Sequence, residues 1–500
     1  MQSLTGEFRI NSQERRPVGA MLRCRLAQLS CRPGWRSLSG LPRVGELRSA
    51  REVIDAHARH GHRYGPMKLS ASWSTLGKLV RQQSEIGELR DTPEALQPLA
   101  ADTELALPRF DACAFAATVG GLGHLHAAGL RASDTLWAEL ATHCTRSVAT
   151  MNAQEISQTA LGFAKAGRGT SLCDPALLDA IAEEAVQRAL RDFKPQNLAN
   201  MVWAYATAGH AAPALLDAVA KEAVNRLHEY IPQNLSNTAW AYATAGHTAP
   251  ALLDAIAEEA ERRGLRDFAP QNLANTAWAY ATAGHAAPAL LDAIAEEAAR
   301  RGLRDFKPQE LANMAWAYAA ADHAAPALFG GDAFVQRCAA LAAERSLVSV
   351  DLCQLHQWQL WQEERGGAWP PLSPALAQRC RNAFCPEMGA RSVLQQDVAD
   401  TLCTLGLAMR EEVRTPLGYR LDAVVVHAGS VVAVEVDGPK SVVGRTPTGA
   451  TAIKRRQLRA AGWKVLPVPY WEWDTLRSMA AKRQYLQRAL EGFGLLSSLS

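Results

Sequence analysis

One sentence of sequence, written four times, constrains this chain more than anything else in it. "NLANTAWAYATAGH" at 272–285 recurs with small changes at 197–210, 234–247 and 310–323. Trp203, Trp240, Trp278 and Trp316 mark the period, with spacings of 37, 38 and 38 residues. A fixed period of this size belongs to stacked supersecondary units, none of which can bury its apolar face alone. Each unit reads as two helices. In the repeat at 195–230, Pro195 opens the first, where a missing N–H is harmless. Leu198, Val202 and Tyr205 follow at helical spacing, and Gly209 stops the run. Pro213 opens the second helix, with Leu216, Val219, Ala220 and Val224 read as its inward face. Charged residues take the other face, Glu184 and Arg188 of a sister repeat forming an i,i+4 pair. The fold class that follows is an α-solenoid of helix–turn–helix repeats.

The tryptophans are the bulk of an otherwise alanine-rich unit. Burying one removes about 150–250 Å² from water, roughly 4–6 kcal/mol gross per repeat. That favours a wedge between repeats; a platform for stacking bases is the other reading. Degenerate flanks extend the array. "AQEISQTALGFAKAG" (153–167) aligns with 196–209, "DLCQLHQWQLW" (351–361) reads as an altered last turn, and 104–150 holds room for another unit. The array is therefore placed at 104–365, with its clear repeats at about 175–326.

Five hundred residues exceed one hydrophobic core, so further units are expected. No stretch of about 18 apolar residues exists, so no membrane span is expected. The ten cysteines are scattered without the spacing of a zinc quartet and read as reduced core thiols. Charge is unevenly distributed. Residues 1–65 carry twelve Arg against five acids, 175–326 carry twelve bases against eighteen acids, and 390–500 carry fifteen bases against ten acids. Basic ends suggest an anionic partner; the acidic middle does not. From Met21 onward, five Arg precede the first acid, Glu46, among several Ser and Leu. This is the composition of an organelle transit peptide. The expectation is import into the mitochondrion, with the chloroplast as the alternative, a start at Met1 or Met21, and a basic segment without fold over residues 1–90.

The run Phe-x-Pro-Gln-x-Leu-Ala-Asn followed by Trp-Ala, met at 193–204 and 268–279, resembles the octotricopeptide repeat of algal organellar proteins. The resemblance implies a helical solenoid that holds single-stranded RNA, one nucleotide per repeat. Base-reading residues should then recur on the first helix. One column is Asn197, Asn234, Asn272 and Glu310; a second is Asn200, Asn237, Asn275 and Asn313. A third, Met201, Thr238, Thr276 and Met314, varies as a specificity position should. Against this, Asn near a helix start often caps backbone N–H groups.

After about residue 390 the pattern changes. "SVLQQDVADTL" reads as helix, and "YRLDAVVVHAG" and "SVVAVEVDGPK" as strands about a turn at Gly429. "TGATAIKRRQLRAAG" reads as helix and "WKVLPVPYWEW" as a buried strand. A closing helix is expected with Asp474 as its N-cap. The order is that of a small α/β domain, placed at 390–492. Its residues Glu435, Asp437, Gly438, Pro439, Lys454, Arg455, Leu458 and Gly462, with the run 469–473, resemble a RAP domain. RAP domains also close the mitochondrial Fas-activated serine/threonine kinase-like proteins. The resemblance implies a fold similar to the PD-(D/E)xK nucleases. In that pattern Asp422, Glu435 and Asp437 would hold a Mg²⁺ or Mn²⁺ ion through oxygen, with Lys454 as the nearby cation. The usual lysine is replaced by Asp437. The other reading is a cleft for phosphate or an RNA end, with Lys440, Lys454, Arg455 and Arg456 as its cations. Asp437-Gly438 is also a natural turn.

Three functions therefore stand open. The first is an organellar RNA-binding protein in RNA processing, stability or translation, alone or with other RNA-processing proteins. The second is a metal-dependent endoribonuclease guided by the repeats, and the third a protein-binding scaffold.

Overall fold

The computed structural model describes residues 41–81, 86–167, 174–384, 391–427 and 429–494. Two compact units share these residues, one ending at Ala212 and the other beginning at Pro213. The transit-peptide reading of residues 1–40 lies outside the described residues.

In the first unit, helices Pro66–Leu79, Ala112–Ala127, Ala153–Ala166 and Pro195–Ala208 lie side by side. Their mates include Gln97–Ala106, Asp134–Ser147 and Pro175–Gln187. The expectation of an unfolded segment through residue 90 is corrected here. Ala50–His60 and Pro66–Leu79 are helices, and Trp73 is fully buried with its Nε1 donating to Thr103 Oγ1 at 2.9 Å. An Arg-rich composition hid an apolar stripe of Leu69, Trp73 and Leu76 at helical spacing.

In the second unit the first helices of successive repeats are Pro232–Ala245, Pro270–Ala283 and Pro308–Ala321, followed by Ser349–Glu364. Proline stands first in the three repeat helices, and the first two end on Gly246 and Gly284 with φ near +64°. His247 N reaches back to Tyr242 O at 3.1 Å, the closing bond of a left-handed C-cap. Asp322 adopts the same conformation, φ 52°, where the pattern has glycine. Along the helices the tryptophans stack on one another: Trp240 and Trp278 have centroids 6.3 Å apart, Trp278 and Trp316 6.1 Å. All four repeat tryptophans are about 95% buried.

A clasp joins each repeat to the one before. Tyr205, Tyr242, Tyr280 and Tyr318 donate from their hydroxyls to Leu178, Leu216, Leu253 and Leu291 carbonyls at 2.5–2.6 Å. His210, His247, His285 and His323 donate from Nε2 to Asp179, Asp217, Asp254 and Asp292 at 2.7–2.8 Å. Arg263 and Arg301, each paired with a glutamate four residues earlier, donate to the carbonyls of the loop preceding a first helix. Charges on the second helices are therefore structural parts as well as solvated surface. Val224, read as inward, is exposed instead; Leu215, Leu216, Val219 and Ala223 form that face.

The sheet domain has four strands: β1 (Ala408–Arg414), β2 (Arg420–His427), β3 (Ser430–Asp437) and, after the short hairpin β4 (Val442–Val443) and β5 (Thr446–Pro447), β6 (Lys464–Pro469). Their order is β1-β2-β3-β6, with β3 and β6 parallel and joined through the helix Gly449–Ala460. Val425, Val432, Val434 and Val468 face one side with Leu402, Leu486 and Leu490; Leu421, Val424, Ala433 and Val465 face the other with Leu458. Two boundaries differ from expectation. The strand stops at Pro469, and Tyr470–Trp473 is a short helix that buries Trp473. The closing helix is Met479–Glu491, and Ser478 caps it by accepting from Ala481 N at 3.1 Å.

Candidate nucleic-acid interface

The first column of expected base readers is buried. Asn197, Asn234, Asn272 and Glu310 are each about 91–93% shielded. The reason is their place three residues into the helix. Asn197 Oδ1 accepts from Lys194 N at 3.0 Å, Asn272 Oδ1 from Ala269 N at 3.0 Å, and Glu310 Oε2 from Lys307 N at 2.8 Å. The amides also bridge neighbouring helices, Asn197 to Ser157 and Asn272 to Ser236. Burial pushes the Glu310 carboxyl up, the Lys307 backbone bond opposing it. Asn197, Asn272 and Glu310 cap their helices, and Asn234 is buried with them, so the column does not face an unpaired strand.

The varying column, Met201, Thr238, Thr276 and Met314, is almost wholly inaccessible and lies in the core. In the second column Asn237 and Asn275 are buried, while Asn200 and Asn313 are partly exposed. Gln354 Nε2 donates to Asn313 Oδ1 at 2.9 Å. Helices packed on several sides leave no free face at the varying column or at Asn237 and Asn275, and this is what corrects the expectation for them.

In the sheet domain the expected carboxylates do come together, at the carboxyl end of β3. Asp422 on β2 is held by two donors, Gln395 Nε2 on one oxygen and Val436 N on the other, each at 2.7 Å. Lys454 donates to Glu435, and Arg455 to Asp437. Both acids are buried. Burial raises the Glu435 carboxyl to about 7, Lys454 opposing and Asp422 adding to the rise. Burial likewise raises Asp437, against the pull of Arg455. The donor set does not fit a Mg²⁺ or Mn²⁺ ion: two carboxylates are held by cations and the third by amide donors. Among the described residues no three His, Cys, Asp or Glu side chains are grouped to hold a metal. The expected metal triad Asp422, Glu435 and Asp437 is corrected on that ground, and Lys454 is a buried carboxylate's partner.

Arg456 is not a phosphate ligand in this arrangement either. Its Nε donates to Glu364 Oε2 at 3.0 Å, and its Nη groups to the carbonyls of Ala319 and Ala320 at the end of a repeat helix. A cation at that end also satisfies the helix dipole. Beside it Tyr419, Gln457 and Gln357 form a closed set of hydrogen bonds at 2.7–2.8 Å. Gly449 packs on the Ala281 carbonyl so closely that a Cβ would collide with it. The sequence reading missed this junction, because its partners lie about a hundred residues apart.

What remains accessible is basic. Within 434–489, Lys440, Arg445, Arg459, Lys464, Arg477, Arg483 and Arg488 are exposed, against Glu472 and Asp474. Tyr470 and Trp471 are half-buried with ring centroids 5.5 Å apart.

A helical-repeat protein that ends in a small mixed-sheet domain with a cationic surface is the class these features define. Comparison with known proteins places a RAP domain at residues 434–489. Residues 209–357 match the family described as the Tbc2 translation factor, N-terminal domain, and residues 174–202 the family described as Protein of unknown function (DUF1601). A RAP domain-containing chloroplastic protein of Oryza sativa subsp. japonica is 38% identical over 101 residues, covering 20% of this chain and 15% of that protein. The chain thus matches a small part of that relative's length.

Proposed function

We propose that this chain is an organellar RNA-binding protein of the plastid, acting in RNA processing, stability or translation. The single observation that carries the reading is the accessible charge of the RAP domain, where seven exposed cations stand against two exposed carboxylates. A surface of that sign attracts a phosphate backbone with little regard to sequence. Half-buried Tyr470 and Trp471 supply ring faces on which an unpaired base stacks. The helical repeats, expected to follow a single strand, contribute through exposed positions and not through the buried columns. The chloroplastic location of the RAP-containing relative supports the plastid over the mitochondrion.

The test is cross-linking in cells. A tagged full-length chain is irradiated, and the RNA bound to it is sequenced. The reading expects a defined set of organellar transcripts, lost when Lys440, Arg445 and Arg459 are changed together to Glu. Recovery of proteins without RNA would favour the scaffold instead.

A further inference from the structure

We infer that the hairpin β4–β5 and the helix Gly449–Ala460 seat the RAP domain on the ends of three consecutive repeat helices, and that the domain binds RNA from that seat, in one footprint continuous with the repeats. The RNA part rests on the function proposed above. The ends of Pro232–Ala245, Pro270–Ala283 and Pro308–Ala321 all lie against this segment. A Cβ placed on Gly246 would be 3.8 Å from Val442 O, and one on Gly284 3.1 Å from Pro447 O. Gly449 meets the Ala281 carbonyl, and Arg456 donates to the carbonyls of Ala319 and Ala320. At the hairpin tip, Gly444 comes so near the array that a Cβ on it would be 3.1 Å from Thr248 Oγ1. Val442 and Val443 are buried, while Lys440 and Arg445 stay exposed.

The repeats depart from their own pattern at two of these contacts. Where Thr248 lies beneath the tip, the other clear repeats have Ala211, Ala286 and Ala324. Where Ala320 lies beside Gly449, they have Thr207, Thr244 and Thr282. A Cβ on Gly449 would be 3.4 Å from that of Ala320, and Ala320 is buried. Repeat stacking requires neither change, because the array accepts alanine at the first position and threonine at the second elsewhere. Both changes fit the RAP domain. Lys440 and Arg445 are therefore held at the edge of the repeats. Two binding parts kept at a fixed span make the second contact intramolecular, which multiplies affinity without any new contact.

Two variants of the full chain disturb the seat and keep every cation. Gly449→Val drives side-chain atoms into the Ala281 carbonyl. Thr248→Ala/Ala320→Thr gives both positions the residues of the other repeats, so the array keeps its stacking even if Gly449→Val folds poorly. Hydrogen exchange of the amides of 442–449 reads the seat; it should be slow in the wild type and faster in the variants. Affinity is then measured for oligouridines of about three and about twenty residues. The long strand should bind the variants at least about tenfold more weakly. The short strand cannot pass from the RAP cations to the repeats, so it should bind wild type and variants equally; damage to the RAP domain itself would weaken both. Exchange that is fast in the wild type, or no faster in either variant, overturns the seat. Long-strand affinity that is unchanged in fast-exchanging variants, or a loss equal for both strands, overturns binding from it. A wild type that exchanges slowly and binds neither strand keeps the seat and removes the RNA reading instead.

Discussion

Arg456 and Glu364, 92 residues apart in sequence, meet with Nε 3.0 Å from Oε2 at the junction of the repeat helices and the RAP domain. Burial raises the Glu364 carboxyl, and Arg456 opposes that rise. The same guanidinium holds two carbonyls at the end of Pro308–Ala321. Arg456→Ala leaves a shielded carboxylate and two carbonyls without their donor. It should lower stability by about 2–3 kcal/mol, and Arg456→Lys should recover only part, since lysine lacks the planar fork. Urea unfolding of the full chain checks this. A loss below about 0.5 kcal/mol, the size of an exposed pair, would show that the junction does not depend on it.

The tryptophan stack makes a second prediction. Trp278 is buried between Trp240 and Trp316. Trp278→Ala should destabilise by about 3–5 kcal/mol, while Trp278→Phe keeps most of the packing. If Trp278→Ala instead left the thermal midpoint unchanged and reduced RNA affinity, the ring would be a base platform and not a wedge.

Glu435 makes stability depend on pH. Its carboxyl titrates at about 7 in the fold and near its ordinary value of 4.5 when unfolded. Between these limits the folded state binds the extra proton, so stability falls as pH rises from 4.5 through 7. Glu435→Gln should flatten the denaturation midpoint over pH 5–8. A profile equally steep in the variant would place the titrating group elsewhere.

His124 acts on the other side. Unfolded, it gains a proton near 6.5; folded, only near 3. The unfolded state therefore holds more protons as pH falls below 6.5, and stability declines on acidification. His124→Gln should lessen that decline, read as a smaller drop in thermal midpoint between pH 7 and 5. An unchanged drop would contradict a neutral, shielded imidazole.

How much of this was legible in the sequence differs by kind of feature. Periodicity marks equivalent residues, so the helices, their prolines and their glycine caps could be placed. It does not say which face is open. Asn197, Asn272 and Glu310 recur because each accepts from the residue before its helix, and the exchange of Asn for Glu was the available signal for an acceptor. The His–Asp clasp was equally readable, since His247, His285 and His323 recur with Asp217, Asp254 and Asp292 at the same period. At the RAP domain, residue types identified Glu435, Asp437, Lys454 and Arg455 as a group. Which acid takes which cation depends on the helix crossing the sheet, and nothing local to Arg456 points to Glu364. Composition also misplaced the start of the fold, because Arg51 and Arg59 sit on a helix, Ala50–His60, whose inner face carries Val53 and Ala56.

The most direct test is the affinity of the full chain for single-stranded RNA as salt is raised. Binding through accessible RAP cations predicts a linear fall of log K with log salt, made shallower by Lys440→Glu with Arg445→Glu. Affinity that is absent, or that holds steady as salt rises and ignores those substitutions, would contradict it and leave a protein-binding scaffold.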